Sequence, residues 1–188
     1  MTPHSLLFLP FAVGRYRTTN FLHGLPHWAV SIALEHKGEI VAGVVFDAAK
    51  DEMFVAEKGA GAWLNDTRIR VSGRRTMIEA IFATGVPFGG KGTLPATLQD
   101  MARLMPVCAG VRRWGAAALD LAYVAAGRYD GYWERGISAW DMAAGMVIVR
   151  EAGGFVSGIR DGDDPLEKGA VIAGNSALFE GFRDIIRG

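Results

Sequence analysis

One cysteine, Cys108, stands in 188 residues. A single thiol excludes an internal disulfide and fits a reducing compartment, so the expected location is the cytoplasm. An excess of one charge is missing too, since 20 basic residues face 20 acidic ones. Net neutrality leaves no electrostatic footprint for nucleic acid or an anionic membrane, and neither is expected as a partner. No apolar run approaches the ~18 residues that a membrane span needs. The run from Leu6 to Val13 is short, is broken by Pro10, and lacks a basic flank and a small-residue cleavage site. It does not read as a signal peptide. Histidines are few: His4, His23, His27 and His36. His23 and His27 stand four apart, but Gly24 and Pro26 between them break the helix that zinc spacing requires. No G-x-S-x-G elbow is present, so serine-hydrolase chemistry has no support. Cys108 follows an apolar stretch with no activating base nearby and reads as a buried structural thiol.

What is present is ordinary for a globular enzyme-like domain: half the residues are hydrophobic and about a fifth are charged. The length fits one domain. Twenty-five glycines are spread among apolar runs, which suggests tight turns and close backbone approaches, not disorder. Residues 1–17 have no clear period. Strands are then expected over Trp28–Leu34, Glu39–Phe46, Glu52–Glu57, Ala62–Leu64 and Arg68–Val71, joined by short turns into an antiparallel meander. From residue 78 strand and helix alternate, an α/β layered pattern. A buried strand ends at Thr84. A helix over Leu94–Met105 is predicted to bury Leu98, Met101, Ala102 and Met105. A strand (Val111–Trp114) and a helix (Ala116–Gly127) follow, then further strands near Gly154–Ser157 and Ala170–Ala173 and a last helix over Ala177–Ile186.

The chain is organised around Gly131 to Gly154, GYWERGISAWDMAAGMVIVREAGG. A short aromatic strand ends in Glu134, turns through Gly136 and opens a helix at Trp140-Asp141, which Gly153-Gly154 stops. Two carboxylates, Glu134 and Asp141, thus flank one turn at the mouth of a helix. That is a place for a cation, a polyol or a phosphate, and equally for an ordinary capping aspartate. The small residues Ala143-Ala144-Gly145 are expected to leave room for something to lie against the helix start. A second candidate, Gly85 to Gly92, nearly spells a phosphate-binding loop. Position 92 is glycine, not the hydroxyl residue that would ligate magnesium, and Pro87 removes a backbone donor, so it reads as a strand-to-helix connection.

These residues resemble a known family. WDMAAG (Trp140–Gly145), continued by Ile148 and EAGG (Glu151–Gly154), is similar to the C-terminal signature of the inositol monophosphatases. TTNFLHGLPHWAVSIAL (Thr18–Leu34) resembles the segment after that family's first metal motif. GAGAWLN (Gly59–Asn65) and RWGAAALD (Arg113–Asp120) match further landmarks, so the likeness covers residues 18–188. It implies an α+β, layered αβαβα sugar-phosphatase-like fold, incomplete at the N-terminus: an antiparallel sheet part (18–77) and an α/β part (78–188) of one domain after a non-family segment, 1–17. It implies a magnesium-dependent phosphomonoesterase acting on inositol monophosphate or a similar small phosphate ester, as a homodimer. Asp141 would be a metal ligand that also touches the sugar. Glu134 would hold a sugar hydroxyl. Gly115, Ala116 and Ala117 would line the ring site, Thr18 would orient the attacking water, and Thr19 would contact substrate. Histidinol phosphate, fructose bisphosphate and nucleotide phosphates are the alternative substrates, and Ala116 stands where a hydroxyl residue is common.

The departure from the family decides the expected chemistry. Its first motif reads Asp-Pro-Ile/Leu-Asp-Gly-Thr-Thr-Asn-Phe; here the two aspartates fall on Val13 and Tyr16 and the glycine on Arg17. Neither Val13 nor Tyr16 can ligate magnesium. The family's upstream Gly-Glu-Glu motif is also absent. The chain is therefore expected to bind magnesium weakly and to be inactive or severely impaired as a phosphatase, or else to be a non-catalytic ligand-binding or subunit-binding remnant. Residues 1–17 are expected to be either a true terminus or a product of an altered frame or start.

Overall fold

The structure, a computed structural model, describes residues 15–87 and 92–188, with side chains from Thr19 onward. Strands β1 (Val30–His36), β2 (Glu39–Asp47), β3 (Glu52–Glu57), β4 (Gly61–Leu64) and β5 (Thr67–Ile69) pair in chain order, each antiparallel to the next. This is the expected meander, with β1 starting at Val30, not Trp28. The β1–β2 hairpin closes through Lys37-Gly38, at φ 53° and 81°. Two left-handed residues in succession match the twist of the strands they join, and glycine takes the second without steric cost.

A second sheet holds β6 (Ile81–Thr84), β7 (Gly110–Arg112), β8 (Gly131–Arg135), β9 (Phe155–Ser157) and β10 (Ala170–Gly174) in the order β7-β6-β8-β10-β9. β6 runs parallel to β7 and β8, and β10 antiparallel to β8 and β9. The helices are α1 (Arg15–Leu22), α2 (Leu94–Leu104), α3 (Ala117–Ala125), α4 (Ala139–Glu151), α5 (Pro165–Lys168) and α6 (Phe179–Arg187). α3 and α4 fill the space between the sheets, and α2 and α6 lie on the far side of the second sheet. Among the described residues the layers therefore run β, α, β, α. The sequence pattern predicts neither α1 nor α5. α1 is polar and carries no apolar stripe, and α5 is a single turn capped by Asp164, too short to show a period.

Two expectations fail for the same reason, that neighbouring elements decide which face is inside. α2 buries Thr97, Asp100 and Leu104, whereas Leu98 and Met105 are 51% and 55% exposed. Asp100 accepts hydrogen bonds from Arg103 and from Arg135, each at 2.8 Å. These charge-assisted bonds hold a polar stripe inward that hydrophobic periodicity cannot register. The small residues of α4 leave no room for a ligand either. A Cβ at Gly145 would sit 2.5 Å from Leu121, and the helix is buried from Met142 to Val149.

The sequence landmarks touch one another. Glu151, at the end of α4, accepts from the backbone N–H groups of Gly59 and Gly61, each at 2.9 Å. Asp130, fully buried, accepts from the Ile81 N–H at 2.8 Å, from Arg74 at 3.3 Å and from the Ser72 hydroxyl, tying the inter-sheet connection to the start of β8.

His27 is buried against Trp114 and Tyr123, with ring centroids 5.6 and 6.1 Å away. Its Nε2 has no hydrogen-bond partner among the described residues. Burial, then the Lys50 ammonium, lower its pKa from 6.5 to about 4, against an opposing pull from Asp47. Between those values the unfolded chain binds a proton that the folded chain refuses. Stability therefore rises with pH across that window and is lost as pH falls through it. Urea midpoints at pH 7 and pH 4.5 should differ by on the order of 2 kcal/mol from this group, and His27→Phe should remove that share of the difference. An unchanged pH dependence in the variant would contradict the assignment.

Candidate active site

The site forms where β8 ends and two helices begin. Alternation on β8 places Tyr132 and Glu134 on one face of the strand. The Tyr132 hydroxyl donates to Glu134 Oε2 at 2.5 Å. On its other side Glu134 lies against Gly85, where a Cβ would come 2.0 Å from Oε1. Any side chain at 85 would displace the carboxylate, so Glu134 is clamped between a phenol and a glycine backbone.

Tyr132 is fully buried, and its hydroxyl is pushed well above its ordinary pKa. Burial is the largest cause, followed by the charges of Glu134, Asp120 and Asp141. Asp120 belongs to the first turns of α3 and Asp141 to the first turn of α4. The charges that act on this phenol thus come from three elements, two of them helices near their positive ends. Asp141 is not the N-cap. Ser138 occupies that position, and Asp141 Oδ2 accepts from the Ser138 backbone N–H at 3.2 Å, as the third helical residue of a capping box. Asp141 thus serves the helix cap from the third helical position.

α1 docks on the opposite wall. Asn20 Nδ2 donates to the carbonyl oxygens of Trp114, at 3.0 Å, and His27, at 2.9 Å. This fastens α1 to the turn before α3. That turn passes through Gly115 at φ +79°, a left-handed value that favours glycine. Gly115, Ala116 and Ala117 then lead into α3 with Ala116 and Ala117 buried. Thr18 lies inside α1, with its side chain outside the described residues, and Thr19 is exposed on the same helix. Glu134 is thus joined to Tyr132, and Gly115–Ala117 are joined to α1 through Asn20 and the Trp114 carbonyl.

Magnesium requires several hard oxygen donors placed together. Among the described residues no group of three or more His, Cys, Asp or Glu side chains is placed to hold a metal ion. One oxygen of Asp141 already accepts from the backbone. The side chains of the described residues therefore do not fit a tightly held magnesium ion. His23, exposed, and His27, buried, form no metal pair, and Cys108 is buried with its thiol pKa raised by that burial. Residues 88–91 of the near phosphate-binding loop lie outside the described residues.

Sequence reading missed Gly85, Asn20 and Tyr132. Tyr132 was within reach, because it stands two positions before Glu134 on a strand. Gly85 was not, because only the approach of β8 to β6 makes it necessary.

The model of the inositol monophosphatase family matches residues 18–187. The chain is 51% identical over 170 residues to the inositol-1-monophosphatase of Rhizobium meliloti, covering 90% of this chain and 64% of that protein. It is 51% identical over 165 residues to the Nus factor SuhB of Pseudomonas aeruginosa, covering 87% of this chain and 61% of that protein. Among solved structures, the extragenic suppressor protein SuhB of Bartonella henselae superposes with a TM-score of 0.87 at 49% identity. That match covers 90% of this chain and 65% of the other. The chain thus spans a little over three-fifths of the length of these relatives. Matched in signature, fold and nearly its whole length, it belongs to the inositol monophosphatase family.

Proposed function

We propose that this chain carries the polyol-binding half of a phosphomonoesterase site and hydrolyses inositol monophosphate or a similar small phosphate ester poorly or not at all. The clamped carboxylate of Glu134 carries the reading. Tyr132 on one side and Gly85 on the other hold it, and a fixed acceptor is what a sugar hydroxyl needs. The backbone groups of Gly115, Ala116 and Ala117 at the start of α3 would line the sugar-ring site. Asp141 would be the metal carboxylate, and Thr18 and Thr19 would face the phosphate. Magnesium supplies the nucleophilic water in the family's chemistry. Here it would bind weakly, because the carboxylates that should accompany Asp141 are Val13 and Tyr16. The proposed unit is one domain over 18–188, in the cytoplasm, self-associating as a homodimer.

The test is a phosphatase assay of the purified chain with inositol 1-phosphate and magnesium, beside the Rhizobium meliloti relative. Loss of metal-centred charge stabilisation worth several kcal/mol predicts a rate lower by roughly 10³-fold or more. A rate near the relative's would refute the reading. The second reading is a binding protein without catalysis. Relatives of similar identity are named Nus factors, and among the described residues the first sheet exposes Ile32, Met53 and Trp63. Calorimetric titration separates the two: metal binding coupled to inositol phosphate supports the enzyme, and its absence supports the binding protein.

A further inference from the structure

The end of β8 that carries Glu134 is held from behind. Alternation sends Tyr132 and Glu134 to the side of α3 and α4, and Trp133 and Arg135 to the side of α2 and α6. The two flanks of this strand end differ. β10 pairs as far as Arg135, opposite Ala170, whereas the register with β6 stops at Trp133, opposite Thr84. Past that point Arg135 reaches α2. Its Nε donates to Asp100 Oδ2 at 2.8 Å and its Nη2 to Asp100 Oδ1 at 3.2 Å. Asp100 is 1% exposed. Its Oδ1 also accepts from Arg103 Nη2 at 2.8 Å. Arg103 donates in turn to the carbonyl oxygens of Ile185, at 2.8 Å, and Ile186, at 2.9 Å, in the last turn of α6. One line of charge-assisted bonds thus runs from α6 through α2 to the residue beside Glu134.

This arrangement is a poor device for stability. A buried carboxylate must be stripped of water, and apolar residues of similar volume commonly hold two elements as well or better. What it supplies that an apolar contact does not is direction. The planar guanidinium meets both carboxylate oxygens at a set distance and angle. Direction matters at this place. A Cβ on Gly85 would come 2.0 Å from Glu134 Oε1, and the Tyr132 hydroxyl holds Oε2 at 2.5 Å. A small shift of the strand end therefore drives the carboxylate into the Gly85 backbone or off the phenol, and binding constellations tolerate only about 0.5 Å of error. We infer that Asp100 is a positioning residue for polyol binding, acting through Arg135 to fix the end of β8 and with it the Glu134 carboxylate against Gly85. The inference rests on the proposed role of Glu134 and adds the residues that aim it.

The test exchanges the ion pair for an apolar one, Asp100→Leu with Arg135→Met, in the full chain. Urea unfolding reads stability, and ligand-detected NMR reads the affinity for inositol 1-phosphate in magnesium buffer. The expected result is a urea midpoint close to that of the wild type with the Kd raised about tenfold, the worth of one misaligned hydrogen bond to a charged group. Arg135→Lys keeps the charge and loses the planar fork, so it should raise the Kd severalfold, and it serves where the double variant folds poorly. In a Glu134→Ala background the same two substitutions should leave the Kd within about twofold, since their effect passes through that carboxylate. A purely structural role would lower affinity equally in both backgrounds. That outcome, or a Kd unchanged by all of these substitutions in the chain that retains Glu134, overturns the inference and leaves the reading of Glu134 standing. A wild-type chain that binds no inositol 1-phosphate, or whose Kd Glu134→Ala does not change, overturns that reading and the inference with it.

Discussion

Gly43→Val is expected to leave little folded protein, and Gly43→Ala to lower stability by about 3 kcal/mol, at the upper end of what overpacking costs. Gly43 sits in β2 within a row of small buried residues, Ala33, Gly43, Ala56 and Ala62, which register aligns across β1 to β4. α4 lies directly on that row. A Cβ at Gly43 would come 2.7 Å from the Ala144 carbonyl oxygen, 2.8 Å from the Ala144 Cα and 2.7 Å from Val147 Cγ1. Two of those three atoms are backbone, so no rotamer change relieves the clash. The helix must lift from the sheet, and α3 resists because Leu121 packs against Gly145 on α4's other side. Valine adds two more branches to the same space. Against a total stability of ~5–15 kcal/mol, that is enough to unfold the domain. Urea unfolding of the alanine variant and the soluble yield of the valine variant measure it. A wild-type midpoint for Gly43→Ala would mean that α4 is less tightly seated than described.

The second large effect concerns the metal. Replacing Val13 and Tyr16 together by aspartate, with Arg17→Gly, should raise magnesium affinity by roughly 100-fold or more, because hard divalent cations are bound by accumulated carboxylate oxygens. By the family resemblance, positions 13 and 16 are where two of Asp141's partners belong. A gain in phosphatase rate should accompany the gain in affinity, since the bound ion brings a hydroxide within reach at neutral pH. The two readouts fail differently. Magnesium titration that stays flat would show that Asp141 is a capping residue only. Restored binding without turnover would show that the family's upstream glutamate, or Thr18, is the missing part. Asp141→Asn in the substituted background is the control and should abolish the gain.

These two cases divide what was legible. The family and the candidate residues Glu134, Asp141 and Gly115–Ala117 stood in the sequence because they form contiguous motifs, and local order is what a motif preserves. The meander was readable from short alternating runs and turn residues such as Lys37-Gly38.

Other features were settled only when elements met. The inward face of α2 was misread because Asp100 has its partner Arg135 on a different element, 35 residues away. Ala143-Ala144-Gly145 looked like space for a ligand and proved to be the seat of α4 between β2 and α3. Asp141 looked like an N-cap, and the fold made Ser138 the N-cap and Asp141 its capping-box partner. By itself the sequence determined the family and the mixed α and β fold class, since these follow from residue identity and short-range spacing. Only the tertiary structure decided that Gly85 and Tyr132 clamp Glu134 and that Gly43 must be glycine. Each of those depends on distances between segments far apart in the chain, which spacing along the sequence does not encode.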